Sequence, residues 1–346
     1  MTKVYVGMSG GVDSSLTAAL LVEQGYDVTG VYMKNWTQDL PGMKCPWADD
    51  LADAKRVAVQ LGIDFKVFDF ETEYKQKVVD YMIEEYKLGR TPNPDIMCNQ
   101  EVKFKIFLET ALEDGADLIA TGHYARVKDG KLLQAVDMNK DQTYFLYRVT
   151  GEALKKTLFP LGEFTKPVVR DMAKERGLFT ASKKDSQGIC FVGQIGIREF
   201  LSQYVEQTAG SIIDKKSGVV LGQHDGAIFY TIGQRHGLDV GGGLPYYVVG
   251  KDMDKNEVYV TTNLNDDALW RPQLELQAAH WINDTPPAGE YQVRVRHRAT
   301  LIPAALSYTS NGEVQLVLNT AERAVAPGQS VVVYDNAECI GGGIVA

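Results

Sequence analysis

Six consecutive residues, from Ser9 to Ser14, combine the side chains and the backbone freedom that an anion site needs. They read Ser-Gly-Gly-Val-Asp-Ser and lie between a short apolar run and an apolar-periodic helix. Two adjacent glycines let backbone N–H groups approach an anion, and the dipole of the following helix points at the same place. The segment lacks the lysine of a Walker loop and is not Gly-x-Gly-x-x-Gly. It predicts a phosphate site, with a strand-to-helix turn that binds nothing as the alternative.

One cysteine stands where a reactive thiolate is expected. Cys98 follows a segment with two prolines in three residues, which predicts an extended loop rather than a helix. An amphipathic helix is expected to begin near Val102, so that Cys98 lies close to a helix N-terminus. That dipole and the charges of Lys103 and Lys105 favour the thiolate. A buried core cysteine is the alternative.

A second cysteine, Cys190, follows Lys183 and Lys184, whose charges also favour a thiolate. Its apolar neighbours Ile189 and Phe191 leave a buried structural cysteine as the alternative. The chain has four cysteines, and no two of them form Cys-x-x-Cys. A zinc ribbon or a thioredoxin-type site is therefore not predicted.

Three other segments combine polar side chains with glycine or with regular spacing. Residues 121–124 include His123 at a predicted strand end, where α/β sheets contact ligands. Residues 230–238 are dense in glycine and polar side chains, which fits either a surface loop or a contact for RNA or a partner. Arg294, Arg296 and Arg298 alternate along a predicted strand, which suits phosphate contact or a solvated face.

The elements that position these residues change character along the chain. Predicted strands of the first part lie at residues 4–6, 28–33, 65–68 and 118–120. They alternate with amphipathic helices, which predicts an α/β fold with a mostly parallel sheet. Short β-type runs between turns follow and give way to an antiparallel pattern. We predict three domains: a catalytic α/β domain over residues 1–207, a small β-rich domain over 208–270 and a barrel-like β domain over 271–346.

Chain length and net charge limit the number of domains and the classes of partner. A chain of 346 residues accommodates two or three domains, and its apolar stretches are far shorter than a membrane span. Because a strand is predicted from Val4, no signal or transit peptide is expected, and a cytoplasmic location is the default. The formal net charge of −9 argues mildly against a nucleic-acid partner, although local basic clusters exist near Cys98 and between residues 166 and 198.

Together, these segments resemble the tRNA-specific 2-thiouridylases, which place sulfur on the wobble uridine and use the PP-loop of ATP pyrophosphatases. The resemblance covers nearly the whole chain. The loop alone is shared with many ligases, whereas the two cysteine motifs in this order are much more specific. The other motifs that carry it are Ala120-Thr121-Gly122-His123-Tyr124, Lys140-Asp141-Gln142, Gly233-Gln234-Arg235-His236-Gly237 and Pro327-Gly328-Gln329. One departure is Arg296-His297-Arg298, where relatives usually carry Arg-Tyr-Arg; histidine keeps an aromatic ring with a hydrogen-bond donor.

The resemblance implies a parallel-sheet PP-loop domain, like those of adenine nucleotide α-hydrolases, and an ATP-dependent sulfurtransferase. The C2 oxygen of uridine 34 would be adenylated and then replaced by sulfur, giving 2-thiouridine, AMP and pyrophosphate. Cys190 would carry the sulfur as a persulfide, and Cys98 would be the second catalytic thiol. Direct attack by the persulfide and release of hydrosulfide by Cys98 both stay open, and both leave a Cys98–Cys190 disulfide for a reductant to open.

The same resemblance assigns binding residues and partners. ATP, with magnesium, would be bound by Gly7, Met8, Ser9, Gly10, Gly11, Val12, Asp13, Ser14, Met33 and Gly122. The target base would contact Asn93, Pro94 and Asp95, and the tRNA would contact His123, Lys140, Asp141, Gln142, Arg296, His297 and Gln329. The expected partners are the anticodon loop of tRNA and a cysteine desulfurase or a sulfur-carrier protein. No membrane contact and no resident metal site are expected, and a monomer is the default.

Three alternatives differ in chemistry. An amide-forming PP-loop synthetase would need neither cysteine. A tRNA-binding protein with an inactive ATP site would release no AMP. An iron–sulfur cluster held by Cys98, Cys190 and Asp95 would use external sulfide, although two cysteines are fewer than most clusters use.

Overall fold

The computed structural model describes residues 1–39, 45–184, 196–241 and 243–346. Within these ranges no helix is both long enough and apolar enough to cross a membrane. Parallel strands come first along the chain and are followed by antiparallel ones. This confirms the predicted fold class.

A five-stranded parallel sheet forms the first part of the molecule. The strands up to residue 158 are β1 (Lys3–Gly7), β2 (Asp27–Lys34), β3 (Asp64–Asp69), β4 (Leu118–Ala120), β5 (Arg126–Lys128), β6 (Lys131–Leu133) and β7 (Thr157–Leu158). The parallel sheet has the order β3-β2-β1-β4-β7. Strands β2 and β3 lie on one side of β1, and β4 and β7 lie on the other, so the strand order reverses beside β1. Such a point opens a crevice at the carboxyl ends of the strands. The segment of residues 9–14 follows β1 and lies at this crevice.

Helices cover the parallel sheet and connect its strands. They are α1 (Val12–Glu23), α2 (Trp47–Leu61), α3 (Glu71–Tyr74), α4 (Tyr81–Lys87), α5 (Pro94–Met97), α6 (Phe107–Glu113), α7 (Thr143–Leu146), α8 (Gly151–Lys155), α9 (Lys166–Glu175) and α10 (Ile197–Leu201). Two stretches with π-type hydrogen bonding, Lys75–Asp80 and Cys98–Ile106, join α3 to α4 and α5 to α6. The buried apolar face of α1 packs against that of α9.

A four-stranded sheet forms the middle part. Its strands are β8 (Gly210–Asp214), β9 (Val220–His224), β10 (Tyr247–Asp252) and β11 (Glu257–Thr261). They have the order β10-β11-β8-β9, in which only β11 and β8 run parallel. This sheet has its own small core, to which Tyr230 and Leu238 contribute. Residues at both ends of the 230–238 segment are therefore packed into this core.

A six-stranded antiparallel barrel ends the chain. Its strands are β12 (Trp270–Trp281), β13 (Gly289–Arg294), β14 (Ile302–Tyr308), β15 (Val314–Arg323), β16 (Ser330–Asp335) and β17 (Glu338–Val345). Pairing of β12 with β17 closes the barrel. The hairpin of β5 and β6, which the sequence did not predict as strands, extends this sheet through β17. The first part of the chain thereby adds strands to the barrel sheet.

Candidate active site

The loop after β1 has the geometry of an anion site. Gly11 is the N-cap of α1 and provides no side-chain cap, so backbone N–H groups of the first turn have no capping side chain. The Ser14 hydroxyl accepts a hydrogen bond from the Ser9 N–H at 3.1 Å and donates to the Gly11 carbonyl at 3.2 Å. The serine therefore holds the loop in a curve around the helix N-terminus. Backbone donors and a helix dipole converge there, as phosphate binding requires.

Two glycines bring neighbouring backbone against this loop. Gly10 has φ +70°, and a Cβ there would lie 2.5 Å from the Asp50 carbonyl oxygen of α2. A Cβ on Gly122, which follows β4, would lie 2.9 Å from the carbonyl carbon of Asp13 and from the nitrogen of Ser14. Both positions therefore require glycine, because the opposing atoms are backbone. The structure thus brings Gly122 to the loop, as the resemblance implies.

Met33 also lies beside the loop. It stands near the end of β2, and its Cε is 2.9 Å from the position of a Cβ on Gly7. Gly7 is the last residue of β1, so the Met33 side chain packs over the strand that leads into the loop. The expected nucleotide-binding residues therefore occupy one continuous region at the carboxyl edge of the sheet.

The Asp13 carboxylate makes contacts that the sequence did not predict. The Lys166 Nζ donates to both of its oxygens, at 2.7 and 2.8 Å, and the Tyr124 hydroxyl donates to Oδ1 at 2.8 Å. The Lys166 side chain is only 10% exposed. The contact of Lys166 with Asp13 was not predictable from local sequence, because the two residues lie 153 positions apart along the chain. Its one local signal is its position in the first turn of α9.

The structure corrects the predicted loop before Cys98. A helix begins at Pro94 rather than near Val102, and the chain stays helical through the π-type stretch to Glu113. Proline is favourable at the first helical position, because its missing N–H has no intrahelical partner there. Cys98 lies in the second turn and is 4% exposed. The helix dipole consequently acts on it less than the sequence predicted, since the effect fades beyond the first turn.

The residues expected to contact the target base shape the start of this helix. The Asn93 side-chain oxygen caps α5, accepting from the Asp95 N–H at 3.1 Å and from the Ile96 N–H at 3.3 Å. Pro94 is buried beside it. Burial raises the pKa of Asp95, and the positive charge of Lys103 partly opposes this shift. Asp95 therefore lies one helical turn before Cys98 in surroundings that favour its protonated form.

Cys190 lies outside the described residues, so its relation to Cys98 is not part of the described geometry. The described chain before it ends at Lys184. Lys183 donates from Nζ to Asp50 Oδ1 at 2.9 Å and to Asp53 Oδ2 at 2.8 Å. Because the backbone of Asp50 contacts Gly10, the segment that leads to Cys190 begins close to the loop after β1.

Packing connects the helical stretch that begins at Cys98 to the nucleotide region. Phe104 stacks on His123 with ring centroids 5.6 Å apart, and the Phe107 ring is 3.7 Å from the position of a Cβ on Gly7. Cys98 and Phe104 lie in the same π-type helical stretch, with five residues between them. Burial, together with the charge of Lys103, holds the pKa of His123 well below its ordinary value. His123 is thus a neutral, 9% exposed ring between these two parts of the site.

Two members of the 140–142 motif have internal partners. The Gln142 side chain accepts from the Tyr124 N–H at 2.8 Å, and the Gln142 backbone N–H donates to the Tyr124 carbonyl at 2.9 Å. Asp141 is 1% exposed and accepts from Arg294 Nη1 at 2.8 Å, forming a buried ion pair with the barrel. Lys140 beside them is partly exposed. The motif therefore joins the loop after β4 to the barrel and presents Lys140 at the surface.

The three alternating arginines do not form one surface row. Strand β13 ends at Arg294, which is buried, whereas Arg296 and Arg298 follow the strand and are exposed. Arg298 has a left-handed backbone with φ +63°, so strand alternation has already ended there. The predicted strand of residues 290–298 is thus too long by four residues. Only Arg296 and Arg298 remain as exposed cations.

His297 connects this loop to the residue after Cys98. Its ring lies on the Phe145 ring with centroids 4.5 Å apart, and the Phe145 carbonyl accepts from the Asn99 side chain at 3.0 Å. Burial, with the charges of Arg298 and Arg294, lowers the pKa of His297 to about 4. The ring is therefore neutral at pH 7 and serves as a stacking surface.

The segment before α5 contacts both later parts of the chain. The Thr91 N–H donates to the Pro327 carbonyl at 2.8 Å, and its hydroxyl lies 3.2 Å from that of Thr231. A Cβ on Gly328 would be 2.7 Å from the Thr91 nitrogen. Gln329 beside it accepts from the Ala326 N–H at 3.2 Å. The motifs of residues 230–238 and 327–329 therefore meet the chain seven residues before Cys98.

A resident metal centre finds no support in the described ranges. They contain no group of three or more His, Cys, Asp or Glu side chains that could hold a metal ion. Both Asp13 oxygens accept hydrogen bonds from Lys166, so a magnesium ion at this carboxylate would share it with the ammonium group.

Comparison with protein families divides the chain into three matched segments. A family model described as tRNA methyl transferase HUP domain matches residues 2–194. One described as tRNA methyl transferase PRC-barrel domain matches residues 198–262, and one described as aminomethyltransferase beta-barrel domain matches residues 271–345.

Curated relatives match the chain almost from end to end. The tRNA-specific 2-thiouridylases MnmA of Geobacillus thermodenitrificans and Bacillus subtilis are each 47% identical, over 99% of this chain and 94% and 95% of their own lengths. That of Idiomarina loihiensis is 48% identical, over 99% of this chain and 95% of its own length. Among solved structures, the U34-tRNA thiolase NcsA from Methanococcus maripaludis with its [4Fe-4S] cluster is 18% identical, over 59% of this chain and 65% of that one, with a TM-score of 0.39. By its identity to the curated relatives, the chain belongs to the tRNA-specific 2-thiouridylase family.

Proposed function

We propose that this protein is an ATP-dependent tRNA-uridine 2-sulfurtransferase that acts on the wobble uridine. The observation that carries the proposal is the pairing of an uncapped helix N-terminus after β1 with a buried cysteine on a helix that packs against the same sheet edge. The first feature suits the pyrophosphate of ATP. The second places a thiol near that site, and because burial alone leaves a thiol unreactive, its activation would depend on the positive charges around it. A PP-loop amide synthetase would use only the first feature.

The reaction needs both features because the C2 carbonyl oxygen of uridine is a poor leaving group. Attack of that oxygen on the α-phosphate of ATP breaks the α–β bond, releases pyrophosphate and makes the oxygen part of an AMP leaving group. The residues that would bind ATP are those of the loop with Gly7, Met33 and Gly122. The loop's backbone donors would stabilise the charge that develops on pyrophosphate. We assign no step to magnesium.

Sulfur transfer then requires two thiols. The terminal sulfur of a Cys190 persulfide attacks C2 and AMP leaves with the oxygen; the Cys98 thiolate then attacks the Cys190 sulfur and frees the thiocarbonyl. Alternatively, Cys98 attacks the persulfide first and releases hydrosulfide, which attacks C2. In both routes the sulfane sulfur gains two electrons from the thiols, which end as a Cys98–Cys190 disulfide, and an external dithiol reopens it.

The anticodon loop would lie across the surface between Lys140, Arg296, His297 and Gln329. Lys140 and Arg296 offer cations for phosphates, and the neutral His297 ring offers a stacking surface for a base. Asn93, Pro94 and Asp95 would shape the pocket for the flipped base. His123, Asp141 and Gln142 would hold these contacts in place, since their own polar atoms face the protein.

The domain division at residues 207 and 270 belongs to the same proposal. Each of the three proposed domains holds one sheet, and the β5–β6 hairpin and the Asp141–Arg294 pair attach the first to the third. A cysteine desulfurase or a sulfur-carrier protein would deliver the persulfide sulfur to Cys190, and the protein would act as a cytoplasmic monomer.

The decisive experiment is thiolation of an unmodified tRNA substrate with ATP, magnesium and a persulfide donor. We expect one AMP and one pyrophosphate for each 2-thiouridine, and loss of thiolation in Cys98→Ser and Cys190→Ser. Cys339→Ala is the matched control, because this thiol is buried where β17 packs against the first part of the chain, and the variant should retain activity. Activity that survives both serine changes would favour an amide-forming synthetase. A methyl transferase, which two of the family descriptions name, would release neither AMP nor pyrophosphate.

A further inference from the structure

The proposed pyrophosphate loop contains a negative charge of its own. Asp13 lies in the first turn of α1, where the loop would bind a highly charged anion, and its side chain is 30% exposed. A carboxylate at this position repels a phosphate at any distance at which the loop's backbone donors reach it. The loop has no lysine to balance that charge. A cation supplied from elsewhere in the fold would therefore favour anion binding here.

Lys166 brings that cation to the loop. It is the first residue of α9, and its Nζ contacts both Asp13 oxygens while lying 5.6 Å from the centroid of the Tyr124 ring. The side chain is 10% exposed, so solvent screens its charge only weakly. The Asp137 carboxylate accepts from the Lys166 N–H at 2.9 Å and fixes the start of α9. Helix position and side-chain contacts both aim the ammonium at the first turn of α1.

Packing of α1 on α9 does not depend on this ion pair. Leu16 and Leu20 of α1 share a buried apolar cluster with Val169 and Ala173 of α9. At the opposite end of the same two helices, Arg176 donates to both Glu23 oxygens at 2.7 and 2.8 Å. The helices thus have an apolar contact and a second ion pair that would hold them together. Packing of the two helices therefore does not require a buried lysine at the end that lies near the loop.

We propose that Lys166 is the cation of the pyrophosphate site, supplied from α9 to a loop that lacks one, and that Asp13 positions it. Lys166 neutralises Asp13 and places a positive charge where the β- and γ-phosphates of ATP would lie. This inference rests on the proposed function, since it assumes that the loop binds pyrophosphate. It adds a residue that neither the loop pattern nor the cysteine motifs assign.

Binding of inorganic pyrophosphate, ATP and adenosine by calorimetry tests the inference in the full-length protein. We expect Lys166→Gln to weaken pyrophosphate and ATP binding by about tenfold to a hundredfold, the size of one hydrogen bond to a charged group. Adenosine binding should stay unchanged, because adenosine carries no phosphate. Lys166→Arg should recover most of the affinity. Arg176→Gln is the matched control, because it removes the ion pair at the other end of the same helices.

The outcomes separate the inference from the proposed function. Wild-type protein that binds no pyrophosphate or ATP would contradict both. Equal binding by wild type and Lys166→Gln would overturn the inference alone, as would a parallel loss of adenosine binding, which would mean that Lys166 only maintains the pocket. If Lys166→Gln fails to fold, the double variant Asp13→Asn/Lys166→Gln removes both charges. It should still bind pyrophosphate about tenfold more weakly than wild type, and wild-type affinity in it would refute the inference.

Discussion

The buried ion pair between Asp141 and Arg294 joins the barrel to the first part of the chain, and its contribution to the free energy of unfolding can be measured. The two side chains are 0% and 5% exposed, and Arg294 also lies 5.2 Å from the centroid of the Tyr334 ring. Replacing Arg294 with methionine leaves the Asp141 carboxylate buried without its cation. Removal of one partner from a buried pair costs about 3–5 kcal/mol. We therefore expect Arg294→Met to lower the free energy of unfolding substantially.

Two details place the expected loss near the lower end of that range. Asp141 keeps hydrogen bonds from the Ala135 N–H at 3.1 Å and from the Thr143 hydroxyl at 2.8 Å. Arg294 Nε is buried and has no hydrogen-bond partner among the described residues, so the substitution also removes one unsatisfied donor. A loss of about 3 kcal/mol is the expected value.

Urea denaturation followed by tryptophan fluorescence would measure this loss. The double variant Asp141→Asn/Arg294→Met should recover most of it, since no buried charge remains. Arg296→Met, two residues along, is the control. Arg296 is exposed, and its Nη2 donates to the Arg323 and Ala324 carbonyls, so Arg296→Met should lower the free energy of unfolding by no more than about 1 kcal/mol. It should weaken tRNA binding and reduce the salt dependence of that binding by about one released counterion. A loss below about 1 kcal/mol for Arg294→Met, or no recovery in the double variant, would refute this reasoning.

Three further predictions concern the site itself. Gly122→Ala should weaken ATP binding at least about tenfold, because its Cβ meets loop backbone, whereas Gly241→Ala, with open space around its Cβ, should not. Burial raises the pKa of Asp95, so its protonated form stabilises the fold below the ordinary value of 3.8, and that contribution is lost as the pH rises through the folded-state pKa. Asp95→Asn should therefore be more stable than wild type at pH 7 and lose this advantage in acid, which thermal melts across pH would show. Thr91→Val should lower the thiolation rate with ATP affinity unchanged, and adding Thr231→Val should cause little further loss, because one contact joins both hydroxyls.

The parallel sheet was predictable because strand and helix periodicities are local signals. The predicted strand at residues 118–120 coincides with β4, and the other three predicted strands fall within β1, β2 and β3. The hairpin of β5 and β6 was not predicted because its strands have three residues each and because it joins a sheet only through the pairing of β6 with β17, much later in the chain. Such strands are stabilised by tertiary pairing, which no local pattern records.

The prediction of an extended loop before Cys98 was wrong for a specific physical reason. Proline was treated as a helix breaker, yet Pro94 occupies the first helical position and Asn93 caps the helix. Asparagine followed directly by proline is therefore a sequence signal for the start of a helix. Helix α9 also has a proline in its first turn, since Pro167 follows Lys166, although the N-cap Thr165 makes no side-chain hydrogen bond there. Sequence could therefore place Lys166 at a helix start, but only the fold brings that start to Asp13.

Net charge was a poor guide because the chain uses several cations internally. Lys166, Lys183 and Arg294 are largely buried in ion pairs with Asp13, with Asp50 and Asp53, and with Asp141. Lys166 and Arg294 are each neutralised by one acid and Lys183 is outnumbered by two, so none of these groups adds positive charge at the surface, yet all of their charges enter the total of −9. The positive charge that a polyanionic partner can contact comes from exposed cations such as Arg296 and Arg298. A formal count over the chain cannot make that distinction.

The contacts of Thr91 indicate how the later parts of the chain act on the catalytic helix. Its N–H is held by Pro327, its hydroxyl meets Thr231, and its nitrogen is packed by Gly328. A displacement of either β-rich part would therefore strain this one segment, which becomes the start of the helix that holds Cys98. Gln329, an expected tRNA contact, directly follows Gly328. If tRNA binds at the barrel as we propose, packed backbone joins that contact to the position of Cys98, and such backbone has little freedom to absorb a shift.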